Sequence, residues 1–178
     1  MSEFDDRLIA DPPRKARVSQ FRPVVWLVIP LIAILFQVYV PRFVQSLSYL
    51  ELPLLVTVYF SLMRRQPIAG GLIGAAIGLA QDSLSQHPLG VFGIVMTLVG
   101  YFAASVSLRF DVENLALRFM LSFLFFLFHR FFFWLISRSL LGLEMDIELA
   151  QMVILGFLNA VVAIPLFFIL DRLRTESR

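Results

Sequence analysis

The chain has 178 residues, of which 59% are hydrophobic and only 16% charged, against about 25% charged in a soluble domain. That leaves too little polar surface to face water, so the chain reads as an all-helical integral membrane protein. With no cysteine it can build neither a disulfide framework nor a thiolate metal site, and its net charge of +2 comes from scattered Arg residues, not from a basic face for nucleic acid.

Residues 1–22 are polar, mixed in charge and without period, and read as a disordered tail. Pro23 to Val40 is long enough to span hydrocarbon as a helix. It exceeds a normal signal-peptide core and lacks a small-residue cleavage site after it, so it reads as a retained first span. A shorter run, Tyr49 to Met63, has Glu51 and Pro53 near its start and stops at "RRQP"; it crosses only with help from its neighbours. Pro67 to Leu84 and Pro88 to Leu108 follow, joined by the brief "SQHP", which dictates an antiparallel hairpin. A Phe-loaded run from about Ala116 to Leu140 and a last one from about Ala150 to Leu170 complete six helices. The expected domain layout is a polar tail at 1–22, a six-helix membrane domain at 23–171 and a short basic tail at 172–178.

Sorting basic residues into alternate loops orients this bundle. One side receives Arg7, Arg14, Lys15, Arg17 and Arg22, then Arg64, Arg65, Arg109 and Arg118, then Arg172, Arg174 and Arg178. The other receives Arg42 and Arg138, and its last loop is acidic, with Glu144, Asp146 and Glu148. Because basic loops stay in the cytoplasm, both termini are expected inside, and a five- or seven-span count would spoil the asymmetry.

Within "GGLIGAAIGLAQDSL", Gly70, Gly74 and Gly78 recur every fourth residue and form one smooth strip on a helix, with Asp82 next in the series. Gly93, Thr97, Gly100 and Ala104 offer a matching small face on the next helix. In lipid, small faces let backbones approach and van der Waals packing hold them, so the third and fourth helices are expected to pack tightly. Asp82 then reads as a helix-end residue accepting hydrogen bonds from the start of the fourth helix near Pro88 to Gly90, where free N–H groups favour an anion.

An ionisable group inside the bilayer costs at least about 2.5 kcal/mol and asks for a partner or a purpose. Glu51 and Asp82 fall in the outer half of the bilayer. Arg130, about twelve residues or roughly 18 Å beyond Arg118, does so as well. Ser122, His129, Arg130 and Ser137 make a polar stripe on the fifth helix that is expected to face the bundle and meet Asp82 or Glu51. Asn159 contributes from a small face made by Gly156, Ala160 and Ala163. Such a cluster can clamp helix register, recognise a ligand or partner, or carry protons. The surrounding Phe residues face lipid, fill gaps or dock a partner's span. No nucleotide loop, zinc motif or nucleophile elbow is present. His87 and His129 lack ligand spacing, so no cofactor, metal or enzymatic activity is expected.

The stretch "GGLIGAAIGLAQDSLSQHPLG" closely resembles the hallmark segment of the rod shape-determining MreD family, the motif falling on Gly74, Gly78, Asp82, Leu89 and Gly90. The likeness in hydropathy extends over about residues 21–172. It implies a non-enzymatic scaffold of the bacterial cell-elongation machinery in the inner membrane. The implied partners are the bitopic MreC, the actin-like MreB and the elongation-specific wall polymerase and transpeptidase that carry out lateral peptidoglycan synthesis. The charged N-terminal tail and the His129–Arg130 pair depart from the commoner pattern of that family. Its architecture is also similar to the substrate-binding subunits of energy-coupling-factor transporters, which supplies the alternative of a vitamin-like small-molecule carrier subunit.

Overall fold

A computed structural model describes residues 23–85, 89–142 and 148–174; the polar tail, His87 and the acidic pair Glu144 and Asp146 lie outside the described residues. Those described form six α-helices: α1 (Pro23–Tyr39), α2 (Leu52–Arg64), α3 (Pro67–Leu84), α4 (Val91–Val106), α5 (Leu115–Leu141) and α6 (Leu149–Arg172). Two short 3-10 turns, Val40–Arg42 and Gln45–Tyr49, link α1 to α2. Proline opens α2 and α3 in the first turn, where its missing N–H costs nothing. Asn114 caps α5 by accepting from the Ala116 N–H at 2.9 Å.

α2 is apolar on every side, the pattern of a fully buried helix, and every residue from Pro53 to Met63 is buried. The other five helices touch it, so the shortest helix is the central post of the bundle. α1 lies outermost, burying only Pro30, Ala33 and Ile34. Its start is tied to the end of α2 by Trp26 stacked on Phe60, ring centres 4.6 Å apart.

The helices alternate in direction, which gathers Arg64, Arg65, Arg109, Arg118, Arg172 and Arg174 at one end of the bundle and leaves Arg42 and Arg138 at the other. Both ends carry cations seated over aromatic rings. Arg64 lies over Trp26 and Arg172 over Phe168 at the basic end, with Arg42 over Tyr39 and Arg138 over Trp134 opposite. Aromatic and basic side chains paired in this way suit the two interfaces of a bilayer.

Four segments are long and apolar enough to cross a membrane: Pro23–Arg42, Gln45–Arg64, Leu115–Leu141 and Leu149–Arg172. Length and composition do not qualify the hairpin helices by themselves. α4 has 16 residues, about 24 Å of helix, because it begins at Val91 after a left-handed Gly90; the expected start, Pro88, lies outside the described residues. α3 dilutes its apolar content with Gly70, Gly71, Gly74 and Gly78 and ends in Gln81 and Asp82.

Candidate functional site

The glycine strip is where α3 and α4 come closest. A Cβ added at Gly70 would strike the Gly100 carbonyl, one at Gly74 the Met96 carbonyl and one at Gly78 the Phe92 carbonyl. Each step of four along α3 meets a step of four backwards along α4, so two backbones run antiparallel in direct contact. Gly93 and Ala104 lie on that seam as expected. Thr97 sits at its side, its carbonyl 3.7 Å from where a Gly71 Cβ would stand.

At the end of the seam, Asp82 is 1% exposed. Its Oδ2 accepts from the Gly90 and Gly93 N–H groups at 3.0 and 2.9 Å, and its Oδ1 from the Phe92 N–H at 3.2 Å. Gly90, the N-cap of α4, has φ +99° and no side chain with which to cap. The carboxylate of the preceding helix therefore acts as the cap, placed at the positive end of the α4 dipole. A Cβ at Gly93 would crowd the end of the Leu79 side chain at 2.7 Å while standing at ordinary contact distance, 3.5 Å, from the Asp82 carboxylate. Leu89, just before the cap, is exposed and takes no hydrogen bond in the lock.

Glu51, Asn159, His129 and Arg130 lie outside the hairpin and do not close into one bonded network; among them only the Glu51 backbone and Asn159 are joined by a hydrogen bond. Asn159 is fully buried and acts as a staple between α6 and the start of α2. Its Oδ1 accepts from the Glu51 N–H at 2.8 Å, and its Nδ2 donates to the Tyr49 and Leu155 carbonyls, each at 2.9 Å. Of the α5 stripe, Ser122, His129 and Ser137 are buried while Arg130 is exposed. Consecutive residues on a helix stand about 100° apart, so His129 turns into the bundle while its neighbour Arg130 stands exposed at the edge. The ion pair expected between Arg130 and Asp82 or Glu51 is not formed: Asp82 is taken up by α4, and Glu51 meets Arg130 across space as an electrostatic neighbour. Glu51, His129 and Arg130 line a cavity of about 500 Å³ at the end opposite the basic one; Asn159, Ser122 and Ser137 do not. His129 stacks on Phe92 there, ring centres 5.9 Å apart.

A second polar cluster at the basic end was not singled out from the sequence. Arg118, nearly buried at the start of α5, forms an ion pair with Asp171 near the end of α6, and its Nε donates to the Val112 carbonyl at 2.7 Å. The Tyr59 hydroxyl of α2 donates to the same Asp171 at 2.8 Å. Three helices are thereby pinned at one level. In the sequence Arg118 reads as a charge that orients the bundle, and Asp171 stands in a terminal stretch "LDRLR" whose basic neighbours are accounted for by membrane topology. The one available signal was an acidic residue at the end of a helix, where a cation is favoured.

Among the described residues no group of three His, Cys, Asp or Glu side chains comes together to hold a metal. The buried carboxylate of the hairpin is fully engaged with backbone, and the one at the basic end with Arg118 and Tyr59. Apolar helices fixed to each other by small residues and a few such ties define an all-helical protein of the membrane class, with four segments long and apolar enough to cross a bilayer.

The family model described as rod shape-determining protein MreD matches residues 17–175. The chain belongs to that family, whose description points to a role in rod shape determination. No curated protein and no solved structure matches it, and the similarity in architecture to energy-coupling-factor subunits, which the family resemblance implied, is not shown.

Proposed function

We propose that this chain is a non-enzymatic scaffold of the cell-elongation machinery in the bacterial cytoplasmic membrane, crossing it six times with both termini inside. In this reading α3 and α4 cross as one unit. The Asp82 carboxylate of α3 accepts from the α4 backbone, and the close-packed backbones give the pair a support that neither 18 nor 16 residues would secure in isolation. The bundle holds the transmembrane anchor of an MreC-type partner and so sets that partner's outer domain in position beside the wall polymerase and transpeptidase, with MreB on the cytoplasmic side.

The observation that carries this reading is the engagement of Asp82. The charged residue of the family motif accepts three backbone N–H groups, which makes it a fastener and leaves it without a free role in proton transfer or nucleophilic chemistry. A rigid hairpin suits a protein that presents a fixed surface. The outward faces of α5 and α6, with Met120, Leu124, Phe131, Phe157 and Phe168 exposed, are the surface proposed for the partner's helix. Co-expression with an MreC homologue followed by affinity purification tests this. Wild-type protein is expected to retain the partner, and Asp82→Leu to lose it. Single cysteines along α5 and α6 are expected to cross-link to the partner's span at helical spacing. A partner captured equally by wild type and Asp82→Leu, with no cross-link from either helix, would count against the scaffold.

A further inference from the structure

We infer that the cavity opposite the basic end is a binding site for a small zwitterion, with an anionic group held by Arg42 and Arg130 and an ammonium held by Glu51 and its amide neighbours. The site stands or falls independently of the scaffold reading.

The cavity has about 500 Å³, within the range of small-molecule sites, but its lining is unusually polar for a membrane-embedded space. Gln37, Gln81 and Ser85 line it, together with Glu51 and His129. Each of these carries a buried polar atom without a hydrogen-bond partner: Gln37 Oε1, Gln81 Oε1, Ser85 Oγ, Glu51 Oε2 and both ring nitrogens of His129. Gln81 and His129 are 3% and 1% exposed. Buried polar atoms are normally paired, and leaving one unpaired costs about 1–3 kcal/mol. Five such residues around one cavity point to a polar occupant.

The lining also specifies the occupant's charge. Three of the unpartnered atoms are carboxyl or carboxamide oxygens, which call for donors. Arg42 and Arg130 both line the cavity, among the described residues no ion pair ends on either, and each guanidinium, that of Arg42 lying over Tyr39, carries five N–H donors. Arg130 acts on Glu51 electrostatically without contacting it. Opposite charges kept apart in a low-dielectric setting attract strongly, and a molecule bearing both charges satisfies each without collapsing the space. A plain anion would leave Glu51 and the two amide oxygens unserved, and a plain cation would leave the guanidinium groups so. Two sources share this chemistry: a phosphoethanolamine lipid headgroup, and a soluble amino acid or short peptide outside the membrane.

The absence of cysteine makes the test clean. Ser48 lines the cavity and is exposed, so Ser48→Cys in the otherwise intact chain, in detergent micelles free of zwitterionic lipid, offers one thiol whose maleimide labelling rate reports occupancy. Glycerophosphoethanolamine and alanyl-alanine are the two probes, with glycerol phosphate and ethanolamine as single-charge controls. Saturable protection, at least fivefold slower labelling, is expected from a zwitterion and not from either control. Protection by glycerophosphoethanolamine alone assigns the lipid source, and by the dipeptide alone the soluble one. Adding Glu51→Gln or Arg130→Gln is expected to shift the half-protecting concentration upward by tenfold or more. Leu84→Cys, also on the cavity wall, repeats the measurement if either double variant folds poorly. Labelling unaffected by both zwitterions, or slowed equally by the single-charge controls, overturns the proposal and leaves the cavity to water.

Discussion

Asp82 shows how one carboxylate can be tolerated at the edge of an apolar helix: its charge is met by three backbone donors, not by a cation. Replacing it tests how much of that is charge and how much is geometry. Asp82→Asn keeps one acceptor oxygen but loses the charge and puts an amide among N–H groups, which is expected to lower stability by about 1–2 kcal/mol. Asp82→Leu strands all three donors and is expected to cost about 3 kcal/mol or more. Thermal unfolding in detergent should rank wild type above Asn above Leu; equal midpoints for all three would remove the lock. At the basic end, Asp171 joins Arg118 and Tyr59. Tyr59→Phe removes one hydrogen bond and is expected to cost about 1 kcal/mol. Asp171→Ala strands the nearly buried Arg118 charge and is expected to cost about 3 kcal/mol. The same unfolding measurement checks the order, which a purely surface ion pair would not produce.

Among the elements, the α3–α4 pair is built on missing side chains. Gly74 has no room for a methyl group, because the obstacle is the Met96 backbone carbonyl, which cannot rotate aside. Gly71, one helical step off the seam, would place its Cβ at 3.7 Å from the nearest atoms, an ordinary contact. Gly74→Ala is therefore expected to force the helices apart and reduce the yield of folded, monodisperse protein severalfold. Gly71→Ala should be neutral or stabilising by up to about 0.5–1 kcal/mol through helix propensity. Size-exclusion profiles and melting curves of the two variants separate close packing from general glycine flexibility: similar losses in both would refute the seam. α2 makes the opposite case. Its burial on all sides lets a 13-residue helix, about 20 Å long, serve as the centre of a bundle whose outer helices reach 27 residues.

For the molecule as a whole, the separation of basic residues to one end and the proposed six crossings make a topology that can be read from outside the cell. Single cysteines at Ser48 and at Glu113, exposed at opposite ends of the bundle, are expected to differ completely. Ser48→Cys should react with a membrane-impermeant thiol reagent in intact cells, and Glu113→Cys only after permeabilisation. The reverse result, or reaction of both in intact cells, would invert or break the proposed arrangement.

Helix number, rough boundaries and the glycine seam were legible in the sequence because each depends on local pattern: apolar run length, proline and short connections, and a four-residue repeat of small side chains. The end of α3 at Leu84 follows from such signals, whereas the late start of α4 does not, since it depends on Asp82 reaching across to cap Gly90. Which polar residues meet was a different matter. Arg130 and His129 are neighbours in sequence yet one is exposed and the other buried, Asn159 pairs with the Glu51 backbone and not its carboxylate, and Arg118 finds Asp171 across 53 residues. Composition and periodicity by themselves determined that this protein is a membrane-embedded helical bundle with a tight hairpin, because lipid leaves a polypeptide few other ways to satisfy its backbone. Only the tertiary structure decided the partners of the few charged groups and left a polar cavity among them, because those outcomes depend on helix rotation and depth, which sequence spacing does not set.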